Sequence, residues 1–239
     1  MTPRPIAWKC LKVAALGLTA LAATLPLSGC DPRQALFFLQ PFDPKIAPPC
    51  PSLKGKRVVI LASCVAGTQA EYVGIDREIA SALAKTLRQN VKRVDVVDVE
   101  KVYDWSRSKP SMTDPADAAV AFEADVVIFL EIQKFQIQDP RDLAMYQGKA
   151  NIHVQVTELD HPKDDRGHIL KDKPKESKVI LEEDRDSEFP VTGGISIDAG
   201  TSKATFKNRF MKVVNEQIGW FFVEHAPGDN IQDTKFQER

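Results

Sequence analysis

The chain has 239 residues and a formal charge of −1 at pH 7, and 43% of its residues are hydrophobic and 27% charged. These proportions are close to the average of globular proteins. The balanced charge excludes the strongly basic footprint of a nucleic-acid-binding protein, so no nucleic acid is expected among its partners.

The N-terminal segment has the order of parts of a bacterial export signal. Basic residues precede an apolar run over 13–25, which is too short to span a bilayer core of about 30 Å. Leu27, Ser28 and Gly29 then precede Cys30 in the order of a lipobox, in which the cysteine is acylated and cleavage occurs before it. We predict a lipoprotein signal peptide over 1–29 and a membrane-anchored protein on the periplasmic side. An uncleaved membrane helix and secretion with cleavage elsewhere are the alternatives.

The residues around Cys30 also bear on the mature chain. Removal of Arg4, Lys9 and Lys12 with the leader leaves 29 basic residues against 33 acidic ones, a formal charge of −4. About two or three acyl chains would hold the protein durably, since one chain binds only marginally. Asp31 resembles the enterobacterial signal for retention in the inner membrane, or it is simply a polar start of the tether.

Proline is frequent between residues 30 and 54, which predicts an extended tether. Residues 55–225 are assigned to a single α/β domain and 226–239 to a polar tail. Four apolar residues of the tether either pack on the domain or lie at the lipid surface: Phe37, Phe38, Leu39 and Phe42.

A buried strand and an amphipathic helix open the domain. The continuous apolar run Arg57–Ser63 predicts a strand covered on both faces. Thr68 and Glu71 have the spacing of a capping box, so we expect a helix from there to about Asn90. Its predicted apolar stripe consists of Tyr72, Ile75, Ile79, Leu83 and Leu87.

Two further strands follow, each after a helix. Val94–Val97 and Asp125–Leu130 are the predicted strands, the latter continuing toward Phe135. Asp98 precedes a short helix over 100–105, and Asp114 with Pro115 starts another helix whose apolar side includes Ala118, Ala119 and Phe122. Three strands separated by helices predict right-handed βαβ units and a parallel core.

The pattern changes after residue 149. Apolar and polar residues alternate over 150–157, which is typical of a strand with one solvated face. A charged loop over 161–178 leads to a further strand, Val179–Phe189, so we expect an antiparallel hairpin at one edge of a mixed, three-layer-like sheet. Ser202–Val223 then reads as a long helix whose apolar stripe is Phe206, Phe210, Val214, Ile218 and Phe221.

Two cysteines remain after cleavage and acylation, in a compartment that permits disulfides. Cys50 lies in the proline-rich segment and Cys64 follows the first predicted strand. A disulfide between them and two unpaired thiols are both open. No CxxC spacing is present, which excludes a thioredoxin-like or zinc motif of that type.

Few residues suggest catalysis or ligand binding, and we expect neither a cofactor nor a metal site. His161, Asp164, Asp165 and His168 lack the paired spacing of a zinc motif and fit a solvated loop better. Gly200 is followed by Thr201 rather than lysine, which departs from a phosphate loop. The turn from Ser63 to Gln69 is the best-placed ligand site, because open parallel sheets bind ligands at the carboxyl ends of strands.

The last predicted helix carries a set of basic residues that suggests a partner surface. Either they solvate an exposed face or they contact anionic lipid headgroups or an acidic partner. The residues are Lys203, Lys207, Arg209 and Lys212.

The order of elements resembles a group of envelope proteins. The resemblance rests on the strand after Lys54–Lys56, on Glu123–Ile132 and on Tyr146–Val156. It is to the α/β domain shared by the N-terminal domain of the Tol–Pal propeller protein, the curli-secretion lipoprotein and lipoprotein activators of peptidoglycan synthases. It implies the same α/β fold and a role in envelope assembly through protein contacts.

We therefore expect a non-enzymatic, lipid-anchored scaffold or adaptor that binds another envelope protein. A subunit of an oligomeric secretion or assembly structure is the first alternative, and the oligomeric state stays open. A ligand-binding or hydrolytic domain is the second alternative, although no nucleophile, base and orienting group stand together in the sequence.

Overall fold

The computed structural model describes residues 45–109, 114–139, 142–161 and 175–227. The leader, the lipobox with Cys30, Asp31 and the apolar residues of the tether lie outside these ranges, as do 162–174 and the tail from 228. In the ranges given, no helix is both long and apolar enough to cross a membrane.

The described strands form one mixed sheet. They are β1 (Arg57–Cys64), β2 (Asp95–Val96), β3 (Val126–Asp139), β4 (Asp142–Asp160), β5 (Glu176–Phe189) and β6 (Ile195–Ser196). The strand order is β2-β1-β3-β4-β5, and β6 pairs with β4 beyond the end of β5. β1 pairs in parallel with β2 and β3, whereas β3–β4 and β4–β5 are antiparallel. The predicted α/β class, with a parallel core and an antiparallel extension at one edge, is confirmed.

Helices cover both faces of the sheet. They are α1 (Ala66–Glu71), α2 (Ile75–Asn90), α3 (Val99–Arg107), α4 (Ala116–Ala121) and α5 (Lys203–Gly219). Because side chains alternate along a strand, Val58 and Ile60 face α2 and α5, while Val59 and Leu61 belong to the apolar cluster with α3 and α4. The described domain is therefore a three-layer sandwich over the parallel strands.

The predicted capping box at Thr68 and Glu71 is wrong. The first helix begins at Ala66 with no side-chain cap, and the Thr68 hydroxyl instead donates to the Gln133 carbonyl oxygen at 3.5 Å. Gly74, at φ +80°, then separates α1 from α2. This break allows Tyr72 to pack edge-on against Phe135, with ring centroids 5.0 Å apart.

The other predicted helix starts agree with the structure. The side chain of Asp98 accepts a hydrogen bond from the Glu100 amide at 3.0 Å, and Asp114 accepts one from the Ala116 amide at 2.8 Å. Ser202 accepts from the Thr205 amide at 3.1 Å. Both predicted apolar stripes are buried. The first begins at Tyr72, just before α2, and the second ends at Phe221, just after α5.

The proline-rich segment joins the body earlier than the sequence indicated. Cys50 and Leu53 are buried, and the Cys50 amide donates to the Phe221 carbonyl oxygen at 3.0 Å. Ile46 forms an isolated antiparallel bridge with His225. Residues assigned to the tether therefore contribute to the core of the domain.

Candidate interaction face

One face of the antiparallel extension is polar. The apolar cluster under α3 and α4 includes Phe129 and Leu159, and it draws no residue from β4 between 142 and 158. Asn151, His153 and Gln155 lie on that side of β4, while Ile152 and Val154 are fully buried on the other. The predicted strand with one solvated face is therefore confirmed, and it places a row of polar side chains at the surface.

Four acidic residues on β5 lie beside this row and are called here the acidic ladder: Glu182, Asp184, Asp186 and Glu188. All four are exposed. They are paired across the strands with Gln155, His153, Asn151 and Lys149, in that order.

Direct contacts join the acidic ladder to β4. The Asn151 amide nitrogen donates to Asp186 Oδ1 at 2.7 Å, and His153 Nδ1 lies 2.7 Å from Asp184 Oδ1. Lys149 Nζ lies 3.5 Å from Glu188 Oε1. These contacts hold the carboxylates in register, yet the side chain of Asp184 keeps 64% of its exposure.

β5 is also an edge of the sheet. It has 14 residues, and β4 is its partner strand among the residues that the structure describes. The outer side of β5 therefore presents backbone N–H and C=O groups that no described strand pairs with. An exposed edge of this length is a template for an added strand.

The opposite face of β5 is fixed against α5. The Ser187 hydroxyl donates to the Gln217 side-chain oxygen, and both residues are buried. The Arg185 guanidinium lies over the Phe221 ring, 4.6 Å from its centroid, and burial lowers the pKa of Arg185. Phe189 packs on Phe206 with centroids 5.9 Å apart. β5 is consequently held in place on its inner face and open at its edge and outer face.

The basic residues predicted as a partner surface do not form one face. Lys207 Nζ lies 2.8 Å from Glu78 Oε1 of α2, and Arg209 is half-buried. Lys203 and Lys212 are exposed and nine residues apart. Because each residue turns the helix by about 100°, they lie on opposite sides of α5. The structure therefore divides this set between an ion pair, a half-buried contact and two separate surface positions.

The two cysteines are free thiols near opposite ends of β1. Cys50 is buried close to Lys56, and burial raises its pKa to about 11 although Lys56 lowers it. Cys64 ends β1 and is half-buried, and burial raises its pKa to about 11 as well. The structure has no bridge between them, and both groups are protonated at neutral pH, which makes them poor nucleophiles.

The turn from Ser63 to Gln69 is tied to β3 and continues into a helix. The Val65 amide donates to the Ile132 carbonyl oxygen at 3.1 Å, and α1 begins within the turn at Ala66. One backbone donor of this turn is thus already bonded to β3.

The residues considered for metal or phosphate binding lie apart. His161 ends a described range, whereas Asp164, Asp165 and His168 fall outside it. Within the described ranges, no three His, Cys, Asp or Glu side chains are arranged to hold a metal ion. Gly200, at φ +80°, ends a short 3-10 turn before the Ser202 cap of α5.

The acidic ladder was missed in the sequence interpretation, although its signal is present. Acidic residues recur at every second position from 182 to 188. That period places them on one face of a strand. The missing information was that β5 is an edge strand.

Comparison with known proteins finds weak structural similarity. No known protein family and no curated protein matches the sequence. The chain is similar to the PelC dodecamer of Paraburkholderia phytofirmans, at 11% identity and a TM-score of 0.39, over 76% of this chain and 97% of that one. It is similar to the hypothetical protein CT253 of Chlamydia trachomatis, at 14% identity and a TM-score of 0.41, over 70% and 97%. Lipoprotein GNA1162 of Neisseria meningitidis shares 11% identity, with a TM-score of 0.37, over 70% and 99%.

Proposed function

We propose that the protein is a lipid-anchored envelope adaptor that captures an extended, basic segment of another envelope protein along β5. The observation that carries this proposal is the coincidence of an open edge with the acidic ladder on one strand. Binding, rather than catalysis, is the activity we assign to this face. The lipobox residues Leu27–Cys30 support the anchor.

The backbone of β5 suits an added strand. Strand addition uses main-chain hydrogen bonds for affinity and alternate side chains for specificity. Side chains on one face of a strand repeat about every 6.8 Å, so a bound segment places every second residue next to the ladder. A segment with lysine or arginine at alternate positions would place one basic side chain beside each carboxylate of the acidic ladder.

The charge of the ladder selects the partner. Opposite charges directly across two strands stabilise the pair by about 0.2–1 kcal/mol, and like charges oppose it. Pairing of β5 with β5 of a second copy would place carboxylates near carboxylates. This edge therefore disfavours self-association and favours a basic partner.

The rigidity of β5 lowers the cost of binding. Contacts of Ser187 and Phe189 with α5, and of Arg185 with Phe221, already order the strand. On binding, conformational entropy is then lost mainly by the partner's segment. Because β5 is already ordered, the affinity is higher than for two flexible segments.

The test is a titration of the mature protein with an extended peptide that carries lysine at every second position. Peptides with alternate glutamates, or with the same lysines in one block, are controls. We expect saturable binding of the alternating basic peptide, weakened by salt. Equal binding of the block peptide would contradict strand addition.

A charge reversal tests the ladder itself. Asp184→Lys with Asp186→Lys should weaken binding about tenfold or more, since two attractive cross-strand pairs become repulsive. Asp104→Lys with Asp117→Lys is the matched control, because both residues are exposed on α3 and α4. The milder pair Asp184→Asn and Asp186→Asn keeps the side-chain shape if the lysine variant folds poorly. Unchanged binding in both ladder variants would exclude this face.

A further inference from the structure

A second charged surface lies at the end of the sheet where β1 begins. A groove of about 760 Å³ opens there, between the segment that leads into β1, the turn after α2 and the segment after α5. Its lining includes Lys45, Lys54 and Lys92 and a single acidic residue, Glu224. We call this surface the lysine groove.

The three lysines of the groove are exposed, and Glu224 is the single acidic side chain among the lining residues. Neighbouring basic residues are already paired: Lys56 Nζ lies 2.6 Å from Glu158 Oε1, and Arg57 lies 2.9 Å from Asp95 Oδ2. Three lysines against one glutamate leave the lining with a net charge of +2, which attracts an anion.

The wall of the lysine groove is fixed. The Cys50 amide is bonded to the Phe221 carbonyl oxygen, and Leu53 and Phe222 are buried behind it. The Ile46 amide donates to the His225 carbonyl oxygen at 2.8 Å. The chain accordingly joins the body at a defined position, with Lys45 at the rim of the groove.

The path of the chain identifies the occupant. Cys30 precedes Lys45 by 15 residues in the sequence, so an anchor on Cys30 is at most about 50 Å away along the extended chain. If Cys30 carries lipid, the chain from the anchor enters the body at Lys45, on the rim of the groove. Anionic phospholipid headgroups are the concentrated anions at a membrane surface, and they attract nearby lysines.

We propose that the lysine groove docks on anionic phospholipid headgroups and orients the body on the membrane. The inference depends on the lipid anchor of the proposed function. Lys178 of β5 lies at the register of Glu158 and Val126, near the groove end of the sheet, and Glu188 lies ten residues further, about 34 Å away. Docking of the groove therefore turns the ladder away from the lipid and toward a partner.

The experiment uses the lipidated protein reconstituted on vesicles. Flotation on neutral phosphatidylcholine vesicles reports the anchor alone. Amide hydrogen exchange then compares neutral vesicles with vesicles that contain phosphatidylglycerol. We expect slower exchange at 52–54 and 91–93 on the anionic vesicles, with no change at 191–194 near the far end, and loss of the effect at high salt.

Variants assign the effect to the groove. Lys45→Glu, Lys54→Glu and Lys92→Glu together should abolish the protection on anionic vesicles while flotation persists. The matched control is Lys101→Glu, Lys109→Glu and Lys203→Glu, which changes the net charge equally at exposed positions outside the lining of the groove. A Lys→Gln triple variant at the groove tests the same contact if the glutamate variant unfolds.

Each other outcome overturns the proposal. Equal protection on neutral and anionic vesicles would mean that the tether alone brings this end to the surface. Protection that survives in the groove variant, or is absent on all vesicles, would exclude headgroup docking. The same protection by inorganic phosphate without vesicles would identify a soluble ligand instead. Failure of flotation on neutral vesicles would reject the anchor itself, which separates the two proposals.

Discussion

The ring of Phe210 lies directly against the backbone of Gly148. A Cβ atom at residue 148 would stand 2.4 Å from Cγ of that ring, so only glycine fits where β4 passes under α5. Phe210 is fully buried and also contacts Phe135, with centroids 5.2 Å apart. This contact joins the helical layer to the antiparallel extension that carries the acidic ladder.

We predict that Gly148→Ala destabilises the protein by about 1–3 kcal/mol, because the ring must move within a packed core. Urea unfolding with far-UV circular dichroism measures the change. Gly67→Ala is the control, since nothing lies within 4 Å of a Cβ at that position. Equal stability of the two variants would show that the core near Phe210 adapts freely.

Lys207→Glu should lower the free energy of unfolding by up to about 1 kcal/mol, because the ion pair with Glu78 is partly exposed and screened. It replaces the 2.8 Å contact between these side chains with repulsion. Lys212→Glu should have no measurable effect. Restoration of stability by Glu78→Lys with Lys207→Glu would confirm the pair, and additive losses in the double variant would reject it.

Stability should fall as pH rises above about 9, since both thiols have a pKa raised in the folded state from 9.0 to about 11. The unfolded chain releases these protons first, so unfolding becomes more favourable until the folded values are reached. Tyr72, whose pKa burial raises to about 12, adds in the same direction. Chemical unfolding at several pH values measures the slope, and Cys50→Ala should reduce it.

We predict that Cys50 and Cys64 both carry free thiols in the exported protein. Mass spectrometry of the exported protein, after alkylation in denaturant without reductant, should find Cys50 and Cys64 both modified. A peptide pair linked through these residues would contradict the free thiols of the structure.

Cys30→Ser should abolish fatty-acid labelling and leave the protein either released or with its leader uncut, because the Cys30 thiol is the predicted acyl acceptor. Metabolic labelling with a radioactive fatty acid measures this. Leu53→Ala has no part in acylation and serves as a control for expression of a destabilised chain. Persistent labelling of Cys30→Ser would reject the lipoprotein assignment.

The sequence interpretation was most reliable where short-range periodicity determines structure. The apolar runs at 57–63 and 125–130 and the stripes of α2 and α5 lie where they were predicted, because each pattern reports the local repeat of a strand or a helix. It was wrong at Thr68, where a hydroxyl that fits a capping box instead contacts Gln133, 65 residues away. At Thr68 the tertiary contact with β3, rather than the local capping pattern, determines where the hydroxyl binds.

The candidate surfaces differ from the core in this respect. Acidic residues at every second position determine that Glu182, Asp184 and Asp186 share one face of a strand, and the sequence alone is enough for that. Three relationships depend on pairings between distant segments: β5 is an edge strand, Lys207 contacts Glu78, and Lys45 lies in one groove with Lys92. Only the tertiary structure decided these relationships, because the local repeat of a segment carries no information about which distant segment packs beside it.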